Sequence, residues 1–173
     1  MSHLSNALRA TGAVVLMGGF AVPGTATADP ANTGNPSDIN TLAGSLSKGY
    51  GLNNCTPQPI TAGELAALTC GQSPDPSGPV QARYILFSNG DNLAGSFKTS
   101  INDDVLTNCG DSGQSPTSWH QGSSSSSAGQ VACGTYQNAA EIIWTIDSKN
   151  ILSYIRGSNT DASALYQWWR ANG

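Results

Sequence analysis

Apolar residues return at every second position in VQARYILF (80–87), which puts Ala82, Tyr84 and Leu86 on one face of a strand. Leu65 to Cys70 reads as a shorter strand. QVACGTY (130–136) and AEIIWTI (140–146) read as two more, joined by a Gln137-Asn138 turn. Elsewhere the apolar spacing is that of a helix. Ser37 caps a segment carrying Ile39, Leu42, Leu46 and Tyr50, and Asn89 or Asp91 caps one carrying Leu93, Phe97 and Ile101. Asp147 or Ser148 starts a third predicted helix with Ile151, Leu152 and Ile155, stopped by Gly157. A fourth runs from Asp161 to Arg170 and places Leu165, Trp168 and Trp169 at i, i+3 and i+4. Trp144, in phase with Ile142 and Ile146, is expected in the core. Of the adjacent pair Trp168 and Trp169, one is expected to pack and the other to be partly exposed. Asn108 to Gly129, with its run of five serines, reads as a long tether.

These elements contain an internal echo. ARYILFSNGDNL (82–93) and AEIIWTIDSKNI (140–151) are each a strand, a polar capping turn and the start of an amphipathic segment. Each follows a Cys-Gly pair, in LTCG and VACG, and each pair follows an Asn-Cys, at Asn54-Cys55 and Asn108-Cys109. The expected fold is therefore α+β: an antiparallel sheet of about four strands, built from two ββα units with helices packed on one face. The units span about 54–107 and 108–157, inside a single domain at 37–173 that ends in the helix 161–170.

The N-terminus adds a compartment. Arg9, the apolar stretch to Val22 and the small residues Ala26-Thr27-Ala28 have the order of a secretory signal peptide, 1–28. The apolar run is too short and too Gly-broken for a membrane span. Residues 29–36 (DPANTGNP) form a polar, flexible lead-in. All 11 acidic residues lie beyond the leader, and the seven Lys+Arg lose only Arg9, so the mature chain carries −5. That balance argues against nucleic acid as partner, because phosphate binding rests on basic residues. A secreted monomer is expected, free or loosely associated with the cell wall.

Four cysteines in an exported domain make two disulfides most economically. Of three connectivities, the duplication selects Cys55–Cys70 and Cys109–Cys133, one bridge per unit. No metal or other cofactor is called for, since the mature chain has no C-x-x-C and one histidine, His120. A Ser-His-Asp arrangement would need His120 with Asp111 and a nearby serine, but there is no G-x-S-x-G elbow. Carboxylates for acid–base work would come from Glu64, Glu141 and Asp103-Asp104, which nothing in the sequence marks as a pair. Asn89-Gly90-Asp91 is a cap and not a phosphate loop. Trp119-His120 is the one aromatic pair in a polar loop. It is the candidate ligand contact, together with a seam between the helices expected at 91–101 and 149–156.

The series ARYILFSNGDNLAGSF, SPTSWH, GQVACGTY, EIIWTID and LYQWWRANG resembles a group of small exported actinobacterial proteins, mycobacterial ones above all, whose function is not established. It is similar also to extracytoplasmic C-terminal domains of actinobacterial transmembrane Ser/Thr protein kinases. The resemblance spans about 50–173. It implies a disulfide-linked α+β module of the sensor or ligand-binding kind, and it carries over no catalytic residue. No kinase domain or transmembrane helix accompanies it here, so direct signalling is not implied. The expected function is a secreted, non-enzymatic binding module at the cell envelope or outside it, taking an envelope or host ligand. The alternatives are an envelope hydrolase using His120, and a secreted inhibitor or structural envelope protein.

Overall fold

The computed structural model of the chain describes residues 31–173, which form one compact unit. The leader expected at 1–28 lies outside the described residues. In chain order the elements are α1 (Pro36–Ala43), β1 (Cys55–Pro57), β2 (Glu64–Cys70), β3 (Gln81–Phe87), α2 (Gly90–Ser100), β4 (Val105–Thr107), β5 (Thr117–His120), β6 (Ser127–Tyr136), β7 (Ala139–Ile146), β8 (Ile151–Arg156) and α3 (Ala162–Asn172). The strands make one antiparallel sheet in the order β1-β2-β3-β8-β7-β6-β4, with β5 also paired to β6.

The sheet thus has eight strands where about four were expected. Three of the additions (β1, β4 and β5) are three or four residues long, too short to show a period. The fourth overturns the second ββα unit. Residues 151–156 form a central strand between β3 and β7, not a helix. A short apolar run flanked by polar residues has no decisive period, and its β-branched Ile151 and Ile155 with Tyr154 suit a strand. Asp147–Lys149 make one 3-10 turn, and Asn150 takes the left-handed conformation (φ 54°) that returns the chain. The internal echo therefore stops at the hairpins β2–β3 and β6–β7. The turn between β6 and β7 is the expected Gln137-Asn138 pair, both at positive φ as a tight two-residue hairpin loop requires.

Nor do the helices share one face. α1 and α3 cover the first face, where Leu42, Leu165 and Trp169 pack on Leu68, Tyr84, Ile142 and Trp144. α2 covers the second, setting Leu93 and Phe97 on Ala67, Ile85, Phe87, Ala132, Ile143 and Leu152. Both faces of the central strands are consequently apolar, and a helix on each side is the way to bury them. On the first face the rings of Tyr50, Tyr84, Trp144, Trp169 and Trp119 follow one another at centroid spacings of 6.2, 6.2, 5.8 and 5.5 Å. Trp144 is in the core, 1% exposed. Trp168 and Trp169 are both buried, which differs from the expectation for adjacent helical residues. The 73–79 loop closes over one side of α3, where Trp168 Nε1 donates to Asp75 Oδ2 at 3.0 Å, while Trp119 flanks the other.

The disulfides are Cys55–Cys70, across β1 and β2, and Cys109–Cys133, tying the segment after β4 to β6. No cysteine is free. α1 is shorter than its apolar spacing implies and is capped by Asn35, whose side chain accepts from Asp38 N. Ahead of it, Asn32 O accepts from Ile60 N at 2.9 Å and Gly34 bridges to Ala66.

Candidate functional site

Trp119 and His120 lie on β5 and not in a tether. The serine run is the connection from β5 into β6, which begins at Ser127. Trp119 is half-buried: its indole donates to Thr145 O at 2.9 Å and its ring meets Trp169 edge-on. Much of this side chain is therefore spent on packing. Exposed His120 borders a hollow of about 350 Å³ together with Trp119, Tyr166, Trp169, Arg170 and Ser118. The serines next to Asp111 are engaged elsewhere, Ser112 Oγ with Cys109 O at 2.8 Å and Ser115 Oγ with Cys133 O at 3.1 Å. The seam expected between two helices has no counterpart, since its second helix is β8.

The second sheet face holds a different constellation. α2 is only 11 residues long, and it ends over the middle of the sheet. Beyond it the inward-facing apolar residues give way to polar ones. Gln81 and Arg83 follow on β3, Tyr154 and Arg156 on β8, and Glu141 on β7. Register places Gln81, Arg156 and Glu141 side by side across three strands, with Arg83 beside Tyr154 one step further in. The chain leaving α2 turns back through Asp103 and Asp104 to β4 and forms a wall. The result is a cleft of about 360 Å³ lined by these residues, the last turn of α2 (Thr99, Ser100) and Tyr136. The Tyr154 hydroxyl is hydrogen-bonded to Ser100 Oγ, which pins the helix end to the sheet. On the far side of that contact is a second hollow of about 470 Å³, which shares Arg83, Thr99, Ser100 and Tyr154.

The electrostatics of the first cleft set it apart. Burial, then the neighbouring charge of Asp104, pushes the Glu141 carboxyl up to about 7, against the pull of Arg156. Burial and the charge of Asp103 push Asp104 up to about 6, again opposed by Arg156. Neither group receives a hydrogen bond that would hold it ionised. Arg156 is close enough to be felt, yet its Nη2 donates to Tyr136 O (3.2 Å) and Gln137 O (3.3 Å), and its guanidinium lies 5.8 Å from the Tyr136 ring centroid. Two carboxyls that change charge near neutral pH, in a concave site with arginines and tyrosines, can exchange protons or take up a counter-charge. Among the described residues no group of three or more His, Cys, Asp or Glu is placed to hold a metal.

The sequence named Glu141 and Asp103-Asp104 but offered no reason to join them. They meet only because β7 is paired beside β8 and the turn after α2 folds over that end of the sheet. One signal was legible: Glu141 is the one charged residue of β7, set on the same face as Ile143 and Thr145. No protein-family model matches the chain, and the comparisons with curated proteins and with solved structures found no match.

Proposed function

We propose that the chain is an exported, non-enzymatic binding module, acting as a monomer at the cell envelope or outside the cell, with the cleft at Glu141, Asp104 and Arg156 as its ligand site. The observation that carries this reading is that the cleft gathers charged and aromatic side chains which the core does not need. A sheet end with no function to serve would be covered or solvated, and ionisable groups would not be half-buried without partners. Two disulfides suit an oxidising compartment, and among the described residues no helix is long and apolar enough to cross a membrane. The resemblance to exported actinobacterial proteins and to extracytoplasmic C-terminal domains of transmembrane Ser/Thr kinases points the same way.

The test is a screen of envelope glycan fragments, peptides and lipid headgroups by NMR on isotope-labelled protein, with thermal shift as a second readout. The expected result is saturable perturbation of residues 99–104, 141 and 154–156. Perturbation confined to Trp119 and His120 would move the site to the β5 hollow, and no perturbation by any ligand class would sink the reading. A hydrolase is the second reading, and the raised carboxyls favour it specifically. It would use Glu141 and Asp104, not His120, as acid and base. Turnover of an envelope glycan that disappears in Glu141→Gln but persists in His120→Ala would select it.

A further inference from the structure

The cleft has carboxylates without hydrogen-bond partners, and of its two arginines Arg156 is already engaged. Arg156, the one basic group felt by both Glu141 and Asp104, is committed to two main-chain carbonyls and to the Tyr136 ring. Two further features act in the same direction. The last turn of α2 lines the cleft, and a helix C-terminus carries partial negative charge. The whole chain is acidic, at −4, so its long-range field draws cations in. A bare metal ion is poorly served, because it requires a closed set of oxygen ligands that the cleft does not provide. A volume of about 360 Å³ with tyrosine and hydroxyl walls suits a small organic molecule.

We propose that the cleft takes a small organic cation, a ligand bearing a primary ammonium or guanidinium group, with that charge set between Asp104 and Glu141. This rests on the cleft being the binding site. The ligand's charge supplies what the protein leaves out, and its remaining donors and acceptors meet Gln81, Thr99 and Arg83 at the rim. Binding then favours the ionised form of both carboxyls and expels protons when they are partly protonated. The groups facing Glu141 are Arg156 and Tyr154 on β8, Arg83 on β3, Tyr136 on β6 and the Asp103-Asp104 turn. Asp104, pushed up to about 6, changes charge in a range adjoining that of Glu141 itself. Affinity for the cation is accordingly weak in acid, rises through pH 6 to 7 and levels off above.

The probes are glucosamine, agmatine, N-acetylglucosamine and glucuronate, titrated into the isotope-labelled protein at pH 5, 6.5 and 8. Glucosamine and agmatine should perturb residues 99–104 and 141, and N-acetylglucosamine, the same ring without the charge, should not. For agmatine, which stays charged throughout this range, the requirement to ionise Glu141 alone lowers affinity about 100-fold at pH 5 relative to pH 8. Calorimetry at pH 6.5 in buffers of different ionisation heat should show proton release on binding. Glu141→Gln with Asp104→Asn should abolish both binding and its pH dependence, with near-ultraviolet dichroism of the tryptophans reporting that the fold survives. Should the double variant not fold, the pH dependence of the wild-type protein decides. Equal affinity for agmatine at pH 5 and 8, preference for glucuronate, or no effect of either cation overturns the proposal. Equal binding of N-acetylglucosamine and glucosamine overturns it too, while leaving the cleft a binding site.

Discussion

At the residue scale, Glu141 and Trp144 sit three positions apart on β7 and do opposite things. Trp144 fills the first-face core between Tyr84 and Trp169. Trp144→Ala should cost about 3–5 kcal/mol through lost burial and the cavity left behind, measured by urea unfolding. Glu141 lies on the second face and is held there at a cost. Its carboxyl is raised in the folded state, to about 7 from an ordinary 4.5, so between those values the folded chain binds more protons than the unfolded one. Stability from this group is full below the unfolded value and is lost as pH rises through the folded one. Asp104 contributes with the same sign up to about pH 6. Glu141→Gln should therefore melt close to wild type at pH 4 and increasingly above it from pH 5 to 8. A constant offset across that range would mean that Glu141 is not held away from water.

At the scale of elements, the short strands depend on single positions as much as on pattern. β5 hangs on β6 beside Gly129, where a Cβ would lie 2.2 Å from Thr145 O. That carbonyl is also the acceptor of the Trp119 indole. Gly129→Ala should cost about 1–3 kcal/mol by forcing β6 away from β7. It should also loosen Trp119, read as a red shift of tryptophan emission; unchanged emission would show that β5 is anchored independently. β8 is the element the pattern misassigned. Its residues Ile151, Leu152, Ser153 and Ile155 are buried from both faces, so no single apolar stripe exists to distinguish strand from helix. α2, by contrast, announced itself through Leu93 and Phe97 and through its Asn89 cap.

At the scale of the whole molecule, the two bridges fasten the two outer parts of the sheet. Cys55–Cys70 holds the edge strand β1, and Cys109–Cys133 holds the segment between β4 and β5 against β6. Their separations in sequence are 15 and 24 residues. On the chain-entropy estimate each contributes roughly 3 kcal/mol by constraining the unfolded chain. Reduction should lower the melting temperature markedly, and scanning calorimetry with and without reductant measures it. In the reduced protein the central strands β3, β8 and β7 should retain amide protection longest, because each is paired on both sides and neither bridge holds them.

What the sequence determined by itself is whatever local chemistry dictates. Strands β2, β3, β6 and β7, the Gln137-Asn138 turn, helices α2 and α3, and the pairing of the four cysteines all rest on neighbours along the chain or on a repeated motif. The tertiary structure decided the rest. Whether 151–156 became a strand depended on the two open edges, β3 and β7, that were there to receive it. Whether α2 covered the same face as α3 depended on both faces of those central strands being apolar. The cleft follows from both outcomes. β8 brings Tyr154 and Arg156 between Arg83 and Glu141, α2 stops short of them, and the turn at Asp103-Asp104 closes the side. Carboxyls about forty residues apart in sequence acquire a shared electrostatic fate only when folding removes water from between them.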